Sequence, residues 1–455
     1  MKKLIYFAVL AAALVAIAAP QAWAAESDDD KFKMHGEVRF RGEYSSNLDD
    51  LDDDFDDQGL FWPYRVRLAV EGQFSKNVSA WIEVQNGGVA GGNFTSINDG
   101  GIPSFFRFGS VQNDGEGVEL YQGSMTLDKL WSDRFSLTIG RQELVLGNEL
   151  LLGDFDFYTG LSHDGATGRW EFDKVDVTVW YFRTNEGSVS NIAGSAPPGL
   201  GFIVPSPVDG GQDFYGGYAT WHFKEDQDFD FYLMQQDYHD ANGMLGGGDL
   251  ADIATVGARY GREIVGENGF YWNIEYATQF GTGEFSGGQA TEEDAGGDVI
   301  EAWFGYNFHN GNNDHKVYGR YSSASGDDPN SADFDGFIGV AGDVHNRLGR
   351  GDWFALDTFF YLTEGITAWS VGYNGFYNDR HELGVAYWDY SVEDDTGLLS
   401  DEIGEAIDLW YGFNYTKNVA FELSYSTLSP GDFFTSGTPP DDDVTRIYGQ
   451  ARLRF

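Results

Sequence analysis

The stretch Met34-His35-Gly36-Glu37-Val38-Arg39-Phe40-Arg41-Gly42-Glu43-Tyr44 alternates without a break. Met34, Gly36, Val38, Phe40, Gly42 and Tyr44 fall on one side, and His35, Glu37, Arg39, Arg41 and Glu43 on the other. Residues two apart share a face of an extended strand, so one face here is apolar and the other carries full charges. A water-soluble sandwich also alternates, but its strands usually run to about 5–6 residues. Residues 34–44 are enough to cross an apolar layer at a tilt, for which about 9–11 residues suffice.

The pattern recurs along the chain. Trp62, Tyr64, Val66, Leu68, Val70 and Phe74 oppose Arg65, Arg67, Glu71 and Gln73. Phe270, Trp272, Ile274, Tyr276 and Phe280 oppose Asn273, Glu275 and Gln279; Val419, Phe421, Leu423 and Tyr425 oppose Glu422, Ser424 and Ser426. Aromatics gather at segment ends, as an interfacial girdle requires. Short connections (75–77, 173–174, 224–227, 265–268, 310–314, 416–418) alternate with long ones (45–60, 86–116, 144–160, 185–212, 281–296, 325–365). For the last hairpins to fit, the turn at Asn378-Asp379 must lie on the short-turn side. That assigns Phe354 to Leu362 to the preceding long loop and leaves an even count. The fold class expected is all-β: an 18-stranded antiparallel transmembrane β-barrel with short periplasmic turns and long extracellular loops. A lumen that size holds water.

The composition fits. The 455 residues carry a net charge of -45, with 61 Gly, 36 Phe, 25 Tyr, 13 Trp and no Cys. The charge excludes nucleic-acid binding, which needs Lys and Arg to neutralise phosphate. Zero Cys excludes disulfides, thiolate metal sites and cysteine catalysis. Hydrophobic residues make up 42%, too many for a disordered acidic chain.

Met1-Lys2-Lys3, the apolar run Leu4 to Ala19 and Ala22-Trp23-Ala24 read as a secretory signal peptide over residues 1–24, leaving 25–455 as the barrel. No later stretch approaches the ~18 apolar residues of a spanning helix. The destination expected is the outer membrane of a Gram-negative bacterium, with its lipid as surroundings. The last strand places Thr445, Ile447, Gly449, Ala451, Leu453 and Phe455 outward, and its terminal aromatic resembles the signal read by the barrel-assembly machinery.

Acidic residues concentrate in the long loops, as in Asp49-Asp50-Leu51-Asp52-Asp53-Asp54-Phe55-Asp56-Asp57. Asp52, Asp53, Asp54 and Asp56 are candidate Ca2+ ligands, although no defined loop motif is present and a solvated, cation-gathering surface serves as well. No other cofactor is implied. Basic residues collect elsewhere. Closing the barrel sets the last strand beside the first, so Arg446, Arg452, Arg454, Arg39, Arg41, Arg65 and Arg67 share one inner wall with Glu37, Glu43 and Glu71. Arginine suits bidentate carboxylate contacts, and fixed positive charge in a pore draws anions. Interleaved Arg and Glu also suit bracing of the wall. Arg141 and Arg320 complete the candidate pore-lining set. Arg141 shares parity with lipid-facing Phe135, Leu137 and Ile139, so reaching the lumen requires a bulge or a place above the apolar band.

Gly140-Arg141-Gln142-Glu143-Leu144-Val145-Leu146-Gly147-Asn148, then Leu151-Leu152-Gly153-Asp154 and Asp164-Gly165, resembles the alginate-export family of outer-membrane barrels. Ala324-Ser325-Gly326-Asp327 and Gly404-Glu405-Ala406-Ile407-Asp408-Leu409 are similar to two further patterns of that family. Asn148 and His163 stand where the pattern has Asp and an aromatic. The resemblance implies 18 strands and an arginine-lined passage for an anionic uronate polysaccharide. The function expected is a passive channel for anionic sugars or polysaccharide. The alternatives are a general, cation-tolerant porin and a structural barrel plugged by loops 86–116 and 325–365. No H-E-x-x-H, G-x-S-x-G or Walker A occurs, and His163-Asp164 is the best local acid–base pair, so no enzyme is expected.

Overall fold

The computed structural model describes residues 31–47, 58–90, 118–185 except 155 and 159, 209–240, 249–283, 293–353 except 329, 341 and 344, 365–395, 400–433 and 442–455. The signal peptide, the Asp52–Asp56 cluster, most of loop 86–116 and Phe354 to Leu362 lie outside them.

Twenty strands form one antiparallel sheet. They are β1 (Phe32–Ser46), β2 (Gly59–Phe61), β3 (Pro63–Ser75), β4 (Val78–Val89), β5 (Glu119–Asp128), β6 (Phe135–Gln142), β7 (His163–Glu171), β8 (Val175–Asn185), β9 (Asp209–Lys224), β10 (Gln227–Asp240), β11 (Asp249–Arg262), β12 (Gly269–Gly283), β13 (Glu293–Ala295), β14 (Asp298–Asn310), β15 (Asn313–Ala324), β16 (Ile366–Tyr377), β17 (His381–Ser391), β18 (Glu402–Asn414), β19 (Val419–Pro430) and β20 (Val444–Arg454). The three-residue β2 and β13 only extend β3 and β14, continuing their pairing with β1 and β12. The remaining 18 close on themselves, because β1 pairs with both β3 and β20. Closure satisfies every backbone group without an edge, which the bilayer core demands of strands. No described helix is long and apolar enough to cross a membrane; the crossing is made by strands.

The alternation decides which way each side chain points. Phe40, Val70, Phe270, Tyr276, Phe421 and Leu423 are exposed on the outside, while Glu37, Arg39, Arg41, Arg65, Glu275 and Ser424 are buried on the inside. An apolar belt outside and a polar interior are the inverse of a soluble protein's arrangement, and only lipid rewards it. Trp62 stacks on Phe40 at 5.8 Å near the external ends of β1 and β3. Asn378 and Asp379 both take positive φ, 53° and 55°, the geometry of the tight turn that matches strand twist. The terminal residue seals the seam: Phe455 exchanges both backbone hydrogen bonds with Gly36, at 2.9 and 3.0 Å, and its ring lies over that glycine.

Gly140 explains one element of the Gly-Arg-Gln motif. Its φ is 124°, and a Cβ there would sit 2.2 Å from the carbonyl oxygen of Gly123 on β5. Gly140→Ala should therefore cost about 1–3 kcal/mol in backbone strain. Semi-native gel electrophoresis should show the compact barrel band converting to the unfolded band at a lower temperature, whereas Ser136→Ala on the same strand should leave it unmoved.

Candidate functional site

Register brings the inner arginines together. Arg39 lies directly opposite Arg65 on β3 and Arg452 on β20. Like charges facing one another across strands repel, so the row needs acceptors. Part of the answer is local: Arg65 Nη2 lies 2.6 Å from Glu37 Oε1, Arg41 Nη1 2.9 Å from Glu43 Oε1, and Arg446 Nη2 2.8 Å from Glu43 Oε2.

The rest comes from the loop after β6, whose residues 156–158 turn into the lumen. Arg39 donates to the Asp156 and Tyr158 carbonyls at 2.7 and 2.6 Å, and Arg41 to the Phe157 carbonyl at 2.9 Å. The Asp156 carboxylate is held between Arg65 at 2.7 Å and Arg67 at 2.9 Å. Arg41 also lies 3.4 Å over the Phe157 ring. Arg446 donates to the Tyr158 hydroxyl and the Gly351 carbonyl, both at 2.7 Å. Burial alone would raise Asp156, but Arg65, Arg67 and Arg39 overcome it and hold its carboxyl down at about 2. Breaking a buried pair of this kind costs about 3–5 kcal/mol, since the charge left behind has no solvent.

A second loop, 325–353, meets the first. Arg347 pairs with the fully buried Glu301 of β14 at 2.6 Å and donates to the Asn148 carbonyl at 2.8 Å. The Asn148 side-chain amide donates to the other Glu301 oxygen at 2.8 Å. An Asp at 148 would set two carboxylates face to face there, so the amide follows from Glu301. Arg350 pairs with Glu422 of β19 at 2.6 Å, and the His345 ring stacks on Phe157 with centroids 3.4 Å apart. The two loops thus form one inward layer spanning from the β20-β1-β3 wall to β14. Leu150, Leu151 and Leu152 fill its interior.

Where the loops touch, Glu149, Asp154 and Asp343 each bring a carboxylate oxygen within 4.8 Å of the other two, a spacing a hard cation accepts. Burial, then repulsion from Asp154 and Asp343, lifts Glu149 to about 7. Burial likewise lifts Asp343 to about 6, and Glu143 to about 7.

The other sequence candidates separate. Arg320 is lumenal, with its guanidinium 4.5 Å over the Trp303 ring. Arg452 is half-buried in the lumen and has no carboxylate in ion-pair range among the described residues. Arg141 does not reach the lumen: β6 keeps regular register with β5 and β7, and Arg141 pairs with Asp164 on the outer face. The irregularity falls instead between Glu83 and Val84 of β4, opposite β5, where Tyr121 is completely buried with Arg67 over its ring at 3.9 Å. An outward charge costs about 2–4 kcal/mol at the bilayer midplane but about 0–1 near the interface. At the external end of its strand and paired, Arg141 is tolerated. His163 points the other way and stacks on Phe182 at 5.0 Å, filling an aromatic's place. His163 and Asp164 therefore lie on opposite faces of the sheet and form no acid–base pair. Arg347 and Arg350 were not anticipated, yet they are the only Lys or Arg of the acidic stretch 325–365.

Architecture and interior define a large outer-membrane β-barrel. The chain is similar in structure to Acinetobacter baumannii OccAB2 (14% identity, 93% of this chain and 98% of that one, TM-score 0.57). It is also similar to the outer membrane protein opdK (15%, 93% and 99%, 0.58) and to OpdQ (12%, 93% and 98%, 0.58), both of Pseudomonas aeruginosa. No protein-family profile and no curated protein sequence matches the chain. The solved structures share the barrel fold; the alginate-export resemblance gains no support from them.

Carboxyls raised in the packed state bind protons that an open state would release. Glu149 and Asp343 therefore hold the loops most firmly near pH 4.5 and less as pH rises to about 7, while His345, lowered by burial, pulls the other way over the acid part of that range. Asp156 stays ionised throughout that window. Mean single-channel conductance should rise from pH 4.5 to 8, and Glu149→Gln with Asp343→Asn should flatten the rise.

Proposed function

We propose that this barrel is a passive outer-membrane channel for small anionic solutes, anionic sugars among them. The observation that carries this is Asp156. A carboxylate already sits between two lumenal guanidinium groups, in the contact that a passing solute's carboxylate would make. Arg39, Arg41, Arg65, Arg67 and Arg446 hold that loop, while Arg452 and Arg320 stay available to a solute. The solved neighbours, named as Occ and Opd outer-membrane proteins, support a channel of this architecture. The inward layer favours solutes of monosaccharide size over a polysaccharide thread. Phe455 would serve recognition by the assembly machinery, and the external acidic loops would gather cations, Ca2+ included.

A second reading has its own observation: Arg65–Glu37 and Arg41–Glu43 are buried pairs that brace the wall. Pure bracing predicts a cation-tolerant pore, and complete plugging predicts none. Reversal potential across a KCl gradient in a planar bilayer decides. The proposal expects anion selectivity, raised together with conductance by Asp156→Ala, which frees Arg65 and Arg67. Cation selectivity unchanged by Asp156→Ala would reject it.

A further inference from the structure

At the short-turn end of the barrel, the outer surface of β15–β18 departs from a plain aromatic girdle. Val317, Tyr321, Trp369, Val371, Leu383, Val385, Ile407 and Leu409 are exposed on the outside. Alternation puts His315, Tyr373, Tyr377, His381 and Tyr411 on that same face. Register sets Val317 opposite Tyr373, and Tyr377 opposite His381, which in turn lies opposite Phe413. The same end of β12 and β14 carries exposed Phe270 and Phe308 instead.

These polar side chains are linked. His315 Nδ1 lies 2.7 Å from the Tyr373 hydroxyl, that hydroxyl 2.8 Å from the Tyr377 hydroxyl, and His381 Nδ1 2.9 Å from the Tyr411 hydroxyl. Gly375 makes room for two of them: a Cβ there would run into the Tyr373 hydroxyl and fall 2.8 Å from that of Tyr377. Hydroxyls that donate to Nδ1 leave the Nε2–H of each ring to donate outward, and neither Nε2 has a partner among the described residues.

Arg380 closes the row. Its guanidinium lies 5.4 Å over the Phe413 ring, on which His381 stacks at 5.1 Å. It donates to the carbonyls of Asn414 and Tyr415 at 3.3 and 3.0 Å. Neither Arg380 nor the exposed Lys417 of the next turn has a carboxylate in ion-pair range among the described residues. Glu382 is turned inward and accepts from Asn374 and Trp410, and Asp379, beside Arg380 in its turn, is exposed and pairs with no cation among the described residues. A guanidinium and imidazole donors set against lipid need an anionic acceptor that the lipid itself carries. Acyl chains offer none, whereas a phosphate offers the oxygens that arginine binds best.

We propose that Arg380, His381 and Tyr377, continued by Tyr373 and His315, form a binding site for the phosphate headgroup of a phospholipid in the periplasmic leaflet. Arg380 and His381 would take the phosphate oxygens. His315, two strands away at about 4.8 Å each, would meet the ester oxygens, with the acyl chains along Val317, Val371 and Leu383. The site does not depend on what the pore conducts.

The test is native mass spectrometry of the full-length mature barrel, with phosphatidylglycerol, phosphatidylethanolamine and diacylglycerol of identical chains added in equal amounts. Both phospholipids should stay bound and diacylglycerol should not. Arg380→Ala should weaken retention about tenfold, the worth of one charge-assisted hydrogen bond. Arg380→Lys should restore part of it, His381→Ala with Tyr377→Phe should weaken retention independently, and Phe308→Ala on the plain part of the girdle should change nothing. Compact migration on semi-native gels certifies that each variant is folded. Equal retention of diacylglycerol, or phospholipid retention untouched by Arg380→Ala and by the His381 and Tyr377 changes, overturns the site. So does full displacement of the phospholipid by inorganic phosphate, which would mark a site for the free anion, or a lipid-free dimer that Arg380→Ala dissociates, which would mark an interface between two barrels.

Discussion

Three guanidinium groups placed side by side on closing strands cannot be buried without acceptors. That requirement organises the interior. Arg39 and Arg41 on β1 and Arg65 on β3 are all buried, with Arg39 directly opposite Arg65. Glu37 and Glu43 supply too few oxygens, and the carbonyls of Asp156, Phe157 and Tyr158 supply others. The energy of a buried charge thus converts a surface loop into a lumenal element. With one loop drawn in, the second follows through Arg347, Arg350 and the stacked His345.

The interior becomes two unlike walls. On one, arginines are consumed by wall glutamates and loop oxygens, and an internal carboxylate rests where a solute could compete for it. On the other, Arg320 rides on the Trp303 and Tyr318 rings and Lys316 on the Tyr271 ring, with Asp314 two residues from Lys316 on the same face. The carboxyls at the loop junction add a pH dependence, since Glu149 and Asp343 are most compatible with close packing when protonated.

Much of this was legible in the residue pattern, and for physical reasons. A strand has a period of two whatever follows it, so Met34 to Tyr44 declared both of its faces. The need for an even count put a turn at Asn378-Asp379, and both residues take the positive φ of a tight turn. Closure of the last strand on the first put Arg446 and Arg452 on one inner wall with Arg39, and the register sets Arg452 opposite Arg39 and Arg446 opposite Ser45. Loop destinations were not legible. Asp156 and Arg39 are 117 residues apart, and nothing local says that a loop carbonyl will meet a guanidinium. Two signals were present all the same. Leu150-Leu151-Leu152 is an apolar run in an external loop, which water would not favour. Arg347 and Arg350 stand alone in an acidic stretch. Arg141 shows the reverse: its parity put it outside, and no bulge brings it in.

Arginine acceptor demand holds Asp154 and residues 156–158 inside the barrel. The chain has no cysteine, so a single Phe157→Cys reports on that loop alone. Labelling by a membrane-impermeant maleimide from the external side measures its shelter. Slow labelling that becomes fast when Arg41 and Arg65 are also changed to Ala is the predicted result. Labelling of Phe157→Cys as fast as that of a cysteine in a short hydrophilic external tag, with the arginines intact, would contradict the account.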